Sequence, residues 1–143
     1  MRALSPSLVV DANILVAAAR GRTSAAIAEV LRARTLITTQ RALEETRRRI
    51  ALGLKRTDLL TVVDSLAQNM LVVPAATLAP DIADGERALK DSVAGGSGSI
   101  KDAHLLALAW AADADIWTTD RDFAGTGVAT WSTPNLMRAL ARA

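Results

Sequence analysis

The chain contains no cysteine and a single histidine. Disulfides, thiolate-bound zinc and cysteine nucleophiles are therefore excluded. One histidine, His104, argues against a His-rich metal site or a Ser-His-Asp triad. Aromatic residues are nearly as scarce: Trp110, Trp117, Trp131 and Phe123 are all there are, so a composition that is 50% hydrophobic must build its core from Ala, Val, Leu and Ile. No run of 18 apolar residues occurs, and no membrane span is expected. The N-terminus lacks a basic segment followed by a long apolar run and a cleavage site, so no secretion signal is expected and the cytoplasm is the expected compartment. An excess of one charge is lacking too. With 17 basic and 15 acidic residues the net charge is +2, which by itself establishes no nucleic-acid partner. The main chemistry left is that of carboxylates.

At 143 residues the size fits one domain, 1–143, able to bury roughly 68–70% of its unfolded surface without staples. Charge distribution says more than the total. Arg41, Arg47, Arg48, Arg49, Lys55 and Arg56 fall within sixteen residues, and Arg20, Arg22, Arg32 and Arg34 form a looser group. Arginine suits bidentate contacts with phosphate or carboxylate, although a solvated helix face is the plain alternative for any one of them.

Apolar patterning alternates short β-branched runs with helical stripes. Strands are expected at 8–10, 36–38, 70–73 and 116–119, with a fifth at 128–130. Helices are expected at 13–19, 23–34, from a Thr39 cap to about 54, from Thr57 onward, at 101–112 and at 135–141. Residues 77–93 read as weakly helical, interrupted by Pro80 and Gly85, and 94–99 (Ala-Gly-Gly-Ser-Gly-Ser) as a linker-like loop. The alternation predicts an α/β fold with a mostly parallel sheet of four to five strands between helical layers.

The acids sit where strands end or helices begin. Asp11 follows the first strand, and its ordinary role there is an N-cap. Asp102 has a capping-box alternative in Ser99-x-x-Asp102. Yet it lies in phase with Leu105, Leu106 and Ala109, which predicts an inward carboxylate that needs partners. Asp120 and Asp122 follow the last strong strand. Glu44 and Glu45 open another helix. Phase puts Glu44 nearer the Leu43/Ile50/Leu54 stripe, and either Glu also has a plain role paired with Arg48 or Arg49. His104 reads as exposed or structural, and Asp113 and Asp115 as solvated turn residues. In an open parallel sheet the carboxyl ends of strands share one crevice. Carboxylates crowded there call for a hard cation such as Mg²⁺ or Mn²⁺.

Four segments then carry a family resemblance: Val9-Val10-Asp11-Ala12-Asn13-Ile14-Leu15, Leu43-Glu44-Glu45-Thr46, Lys101-Asp102-Ala103-His104-Leu105-Leu106-Ala107-Leu108-Ala109, and Ile116-Trp117-Thr118-Thr119-Asp120-Arg121-Asp122-Phe123. In this order they resemble the PIN domain, the nuclease fold of VapC-type toxins, and the tail 125–131 is similar to one branch of it. The resemblance implies a single PIN-like three-layer α/β/α domain. It implies catalytic, metal-binding roles for Asp11, Glu45 (with Glu44 as the alternative), Asp102 and Asp120, with Asp122 as a further metal ligand and Asn13 and Thr118 as polar supports. The cofactor would be Mg²⁺ or Mn²⁺. The activity would be endonucleolytic hydrolysis of single-stranded RNA, held at the rim by Arg41, Arg47 and Arg48. A small antitoxin and a homodimer are the implied partners. An RNA- or partner-binding module with little catalysis is the competing reading. A phosphatase or a phosphorylated receiver fits less well. Position 13 is Asn where that phosphatase pattern has a second Asp, and the receiver's acidic pair and late Lys are missing.

Overall fold

The computed structural model describes residues 3–90, 102–120, 123 and 125–142. The Gly/Ser loop expected at 94–99, and Asp122, lie outside the described residues. Five strands form one sheet in the order β3-β2-β1-β4-β5, and every pairing is parallel. The strands are β1 (Ser7–Val10), β2 (Thr35–Thr39), β3 (Leu71–Val73), β4 (Asp115–Trp117) and β5 (Thr130–Trp131). Around them run α1 (Ala12–Ala19), α2 (Ser24–Leu31), α3 (Gln40–Arg48), α4 (Leu60–Gln68), α5 (Ala79–Lys90), α6 (Ala103–Ala112) and α7 (Thr133–Arg142). No helix among the described residues is long and apolar enough to cross a membrane.

Strand alternation sorts the core into two layers. Val9, Ile37 and Ile116 pack with α6, Leu89 of α5 and Phe123 on one face. Leu8, Val10, Leu36 and Trp117 pack with α1, α2 and Leu136 of α7 on the other. With both faces covered, inner strands are expected to be largely apolar, and Leu8 to Val10 are fully buried. The apolar stripe of α2 is spent on this core through Ile27 and Val30.

The chain adds β2 and β3 on one side of β1, then returns to add β4 and β5 on the other. The order thus reverses between β1 and β4, where open α/β sheets form their ligand crevice.

Several boundaries differ from the sequence expectation. β4 ends at Trp117, so Thr118 and Thr119 belong to the loop beyond it. β5 is Thr130–Trp131 rather than 128–130. The Thr39 hydroxyl accepts from the Ala42 N–H and caps α3 as expected, but from Arg49 the helix widens into a π-turn, Arg49–Gly53. Asp115, expected in solvent, is 6% exposed, because it opens β4 rather than the turn before it. Asp113 does sit in that turn, exposed and left-handed at φ 50.

Pro80 and Gly85 do not interrupt α5. Pro80 falls in its first turn, where no intrahelical N–H is needed. Gly85 is a packing requirement: a Cβ there would stand 2.9 Å from the Ala103 carbonyl oxygen, at the first residue of α6. Since that neighbour is backbone, Gly85→Val must push α5 and α6 apart. The expected loss is about 2 kcal/mol, or roughly 5–8 °C in melting temperature for a domain of this size. An unchanged melting curve would mean the two helices have slack between them.

Candidate active site at the carboxyl edge of the sheet

Asp11 stands one residue past β1 and caps α1. Its Oδ1 accepts from the Asn13 N–H at 3.4 Å, and its backbone N–H donates to the Trp117 carbonyl of β4. The carboxylate is 4% exposed. Its Oδ2 accepts from the Thr118 hydroxyl at 2.6 Å, and Thr118 Oγ1 in turn accepts from the Asp120 N–H at 2.9 Å. One threonine side chain therefore ties the loop after β4 to the end of β1. Burial raises the Asp11 pKa above the ordinary carboxylate value; the hydrogen bonds from Thr118 and Asn13 pull it down, and the Asp120 charge pushes it up again.

A native pKa raised in this way means the folded protein binds that proton more tightly than the unfolded chain does. This contribution makes stability fall as pH rises from the ordinary value through the native one, by at most about 1.4 kcal/mol per pH unit for one proton. Above the native pKa the penalty is fully present. Chemical denaturation between pH 4 and 7 should show that fall in the metal-free protein and a flatter profile in Asp11→Asn. Parallel profiles would show that the buried charge is already compensated.

The second group of residues lines a pocket of about 220 Å³: Arg41, Glu45, Arg48, Asp102 and His104. Glu45 and the two arginines come from α3, and Asp102 and His104 from the start of α6. This separates the two glutamates. Glu45 is half-buried and lines the pocket, whereas Glu44 is exposed. Asp102 is itself the N-cap residue of α6, and its side chain makes no capping hydrogen bond. It is therefore not the N3 member of a capping box, and it lines the pocket.

Of the two expectations for His104, exposed or structural, the structure shows the second: it is 3% exposed. Its Nδ1 shares a 2.7 Å hydrogen bond with Thr39 Oγ1. Residues 103–109 of α6 are all buried, so lying off the Asp102 stripe did not mean facing solvent. Thr39 thus caps the helix of Glu45 with the same hydroxyl that holds the first turn of the helix of Asp102. β2 ends at Thr39, so this pocket also opens at the carboxyl edge of the sheet.

Residues 9–141 match the family model of the PIN domain. The chain belongs to the PIN domain family. Among solved structures, this PIN domain is similar to VapBC2 from Rickettsia felis, crystallised bound to a DNA fragment from their promoter. That match has a TM-score of 0.73 at 14% identity and covers 88% of this chain and 98% of that one. It is also similar to FitAB bound to the IR36 DNA fragment, with a TM-score of 0.64 at 16% identity, covering 88% and 94%. FitAcB from Neisseria gonorrhoeae gives 0.60 at 19%, covering 88% and 97%. No curated protein sequence matches the chain.

The basic residues of this PIN domain divide. Arg41 and Arg48 line the acidic pocket. Arg47, expected at the same rim, turns to Asp64 of α4 at 2.6 Å. Arg49, which the sequence did not distinguish from its neighbours, donates to Asn13 Oδ1 at 2.6 Å. Asn13 thus supports Arg49 through its side chain and Asp11 through its backbone. Thr39 and Arg49 were missed as supports because their partners lie 65 and 36 residues away. Among the described residues, no three acidic or imidazole groups lie close enough together to hold a metal ion.

Proposed function

We propose that this PIN domain is a metal-dependent endoribonuclease that cuts single-stranded RNA, and the toxin of a toxin–antitoxin pair. The observation that supports it is the gathering of Asp11, Glu45, Asp102 and Asp120, from four separate parts of the chain, at one edge of the sheet. PIN domains are generally nucleases. The likeness to VapBC2 and FitAB favours the toxin role with a small antitoxin as partner; a second copy of the chain is proposed as a further partner.

The donor chemistry fits a hard cation. The described acids come as Asp11 with Asp120 and as Glu45 with Asp102, and Mg²⁺ is commonly held by one or two carboxylates together with water and substrate phosphate. Each pair, Asp11 with Asp120 and Glu45 with Asp102, would hold Mg²⁺ or Mn²⁺ together with water and substrate phosphate, with Asp122 as a further donor; when bound, the metal supplies Lewis-acid polarisation of the phosphate and a more acidic water. The chain does the rest. Thr118 fixes the Asp11 carboxylate against rotation, and Thr39 holds the two pocket helices together. Arg41 and Arg48 draw the RNA backbone toward the acids, so binding should weaken with salt.

The test is cleavage of a mixed RNA pool with Mg²⁺, with Mn²⁺ or with EDTA. Cutting with either metal and none in EDTA is the expected result. A folded protein that binds the RNA but cuts it under no metal would put the binding-module reading in its place.

A further inference from the structure

A second pocket, of about 300 Å³, is lined by Val16, Arg20, Arg49, Gly53 and Leu54. It shares no lining residue with the Glu45–Asp102 pocket, and its lining holds two arginines and no acid. Both arginines are exposed, and among the described residues neither takes part in an ion pair. Arg49 bonds only the neutral amide oxygen of Asn13, so its charge is not cancelled. Two guanidinium groups beside one cavity, with no carboxylate lining it, favour an anion, and their planar forks match phosphate.

The rest of the lining is apolar or empty. Val16 is buried in α1, Leu54 is 37% exposed, and Leu52 beside them is 71% exposed. A Cβ at Gly53 would meet no atom within 4 Å, so the cavity is open on that side. The π-turn makes this shape: Leu54 N–H reaches back to the Arg49 carbonyl, and such widened turns recur at functional sites. The cavity is at the small end of ligand pockets.

Its position ties it to the acids. Arg49 touches Asn13, whose N–H bonds the Asp11 carboxylate. Arg48, one residue earlier, lines the acidic pocket. We propose that this cavity is a nucleotide subsite: Arg20 and Arg49 take a backbone phosphate of the RNA adjacent to the one cut, and Leu54 and Val16 pack against its base. This rests on the ribonuclease reading and adds to it a fixed path for the strand past Asp11.

The test is equilibrium binding of a fluorescein-labelled single-stranded RNA 12-mer, followed by anisotropy in EDTA so that nothing is cut. Arg20→Ala should weaken binding about 5–10-fold and flatten the dependence of log affinity on log salt by about 0.7, the value of one single-strand phosphate contact. Gly53→Leu, which fills the cavity without changing charge, should weaken binding by a similar factor. Arg32→Ala, which removes an arginine paired with Glu29 elsewhere on the surface, should change affinity less than twofold. Wild-type affinity in both pocket variants, or an equal loss in Arg32→Ala, overturns the subsite and leaves the ribonuclease reading standing. Failure of the wild type to bind the RNA overturns both. Variants that keep RNA but lose binding of poly-L-glutamate would assign the cavity to an acidic protein segment instead and overturn the subsite.

Discussion

Asp102→Asn should leave RNA bound and essentially uncut. Asn keeps the shape of the side chain, and no capping bond of α6 depends on the carboxylate; an unchanged melting temperature would accompany the loss. The variant removes one of the two acids that line the pocket with Arg41 and Arg48. A loss of at least about 100-fold in kcat/KM is expected, equivalent to about 2.7 kcal/mol of transition-state stabilisation, with RNA affinity in EDTA within about threefold of wild type. Asp11→Asn should be as inactive, but it also alters a helix cap and the bond to Thr118, so Asp102 is the cleaner probe. An Asp102→Asn enzyme that cuts at the wild-type rate would falsify the acid assignment.

Asp115→Ala should be the most damaging single change away from that edge. Asp115 Oδ2 accepts from the Ser5 N–H at 3.0 Å and from the Trp131 indole N–H at 2.9 Å. It therefore joins the segment before β1, the start of β4 and the outermost strand β5. Alanine would leave two donors without their acceptor in a poorly hydrated place, and each such loss costs about 1–3 kcal/mol. A destabilisation of about 3 kcal/mol, or roughly 10 °C in melting temperature, is expected. Asp115→Asn, which keeps one acceptor oxygen, should recover more than half of it. If alanine shifts the melting point by less than 2 °C, the two hydrogen bonds are not sustaining β5.

Much of this was legible in the sequence because it is local. Apolar runs named β1 to β4 to within a few residues, and Thr39 announced the start of α3. The parallel α/β class followed from alternation alone. The misreadings have specific physical causes. Asp115 was set in solvent because a charged residue beside a turn usually is, and its partners lie 110 and 16 residues away. For His104 the exposed and structural readings both stayed open, because helical phase carries no information where residues 103–109 are buried all round. Phase also favoured Glu44 over Glu45, since it was measured against the stripe of Leu43, Ile50 and Leu54. The pocket lies between α3 and α6, a direction that stripe does not mark. The roles of Arg47 and Arg49 were illegible for a similar reason: their partners, Asp64 and Asn13, belong to other helices.

The order β3-β2-β1-β4-β5 has a consequence for synthesis. The place beside β1 stays vacant until β4 arrives, more than a hundred residues later in the chain, and the Asp11 carboxylate takes its bond from Thr118 only then. No contiguous fragment shorter than residues 11–120 carries all four proposed catalytic acids. A nascent chain emerging beside its own messenger would thus lack the complete acid set until residue 120 has emerged. The crossover that builds the site therefore also delays it, and any activity that needs all four acids must wait for β4.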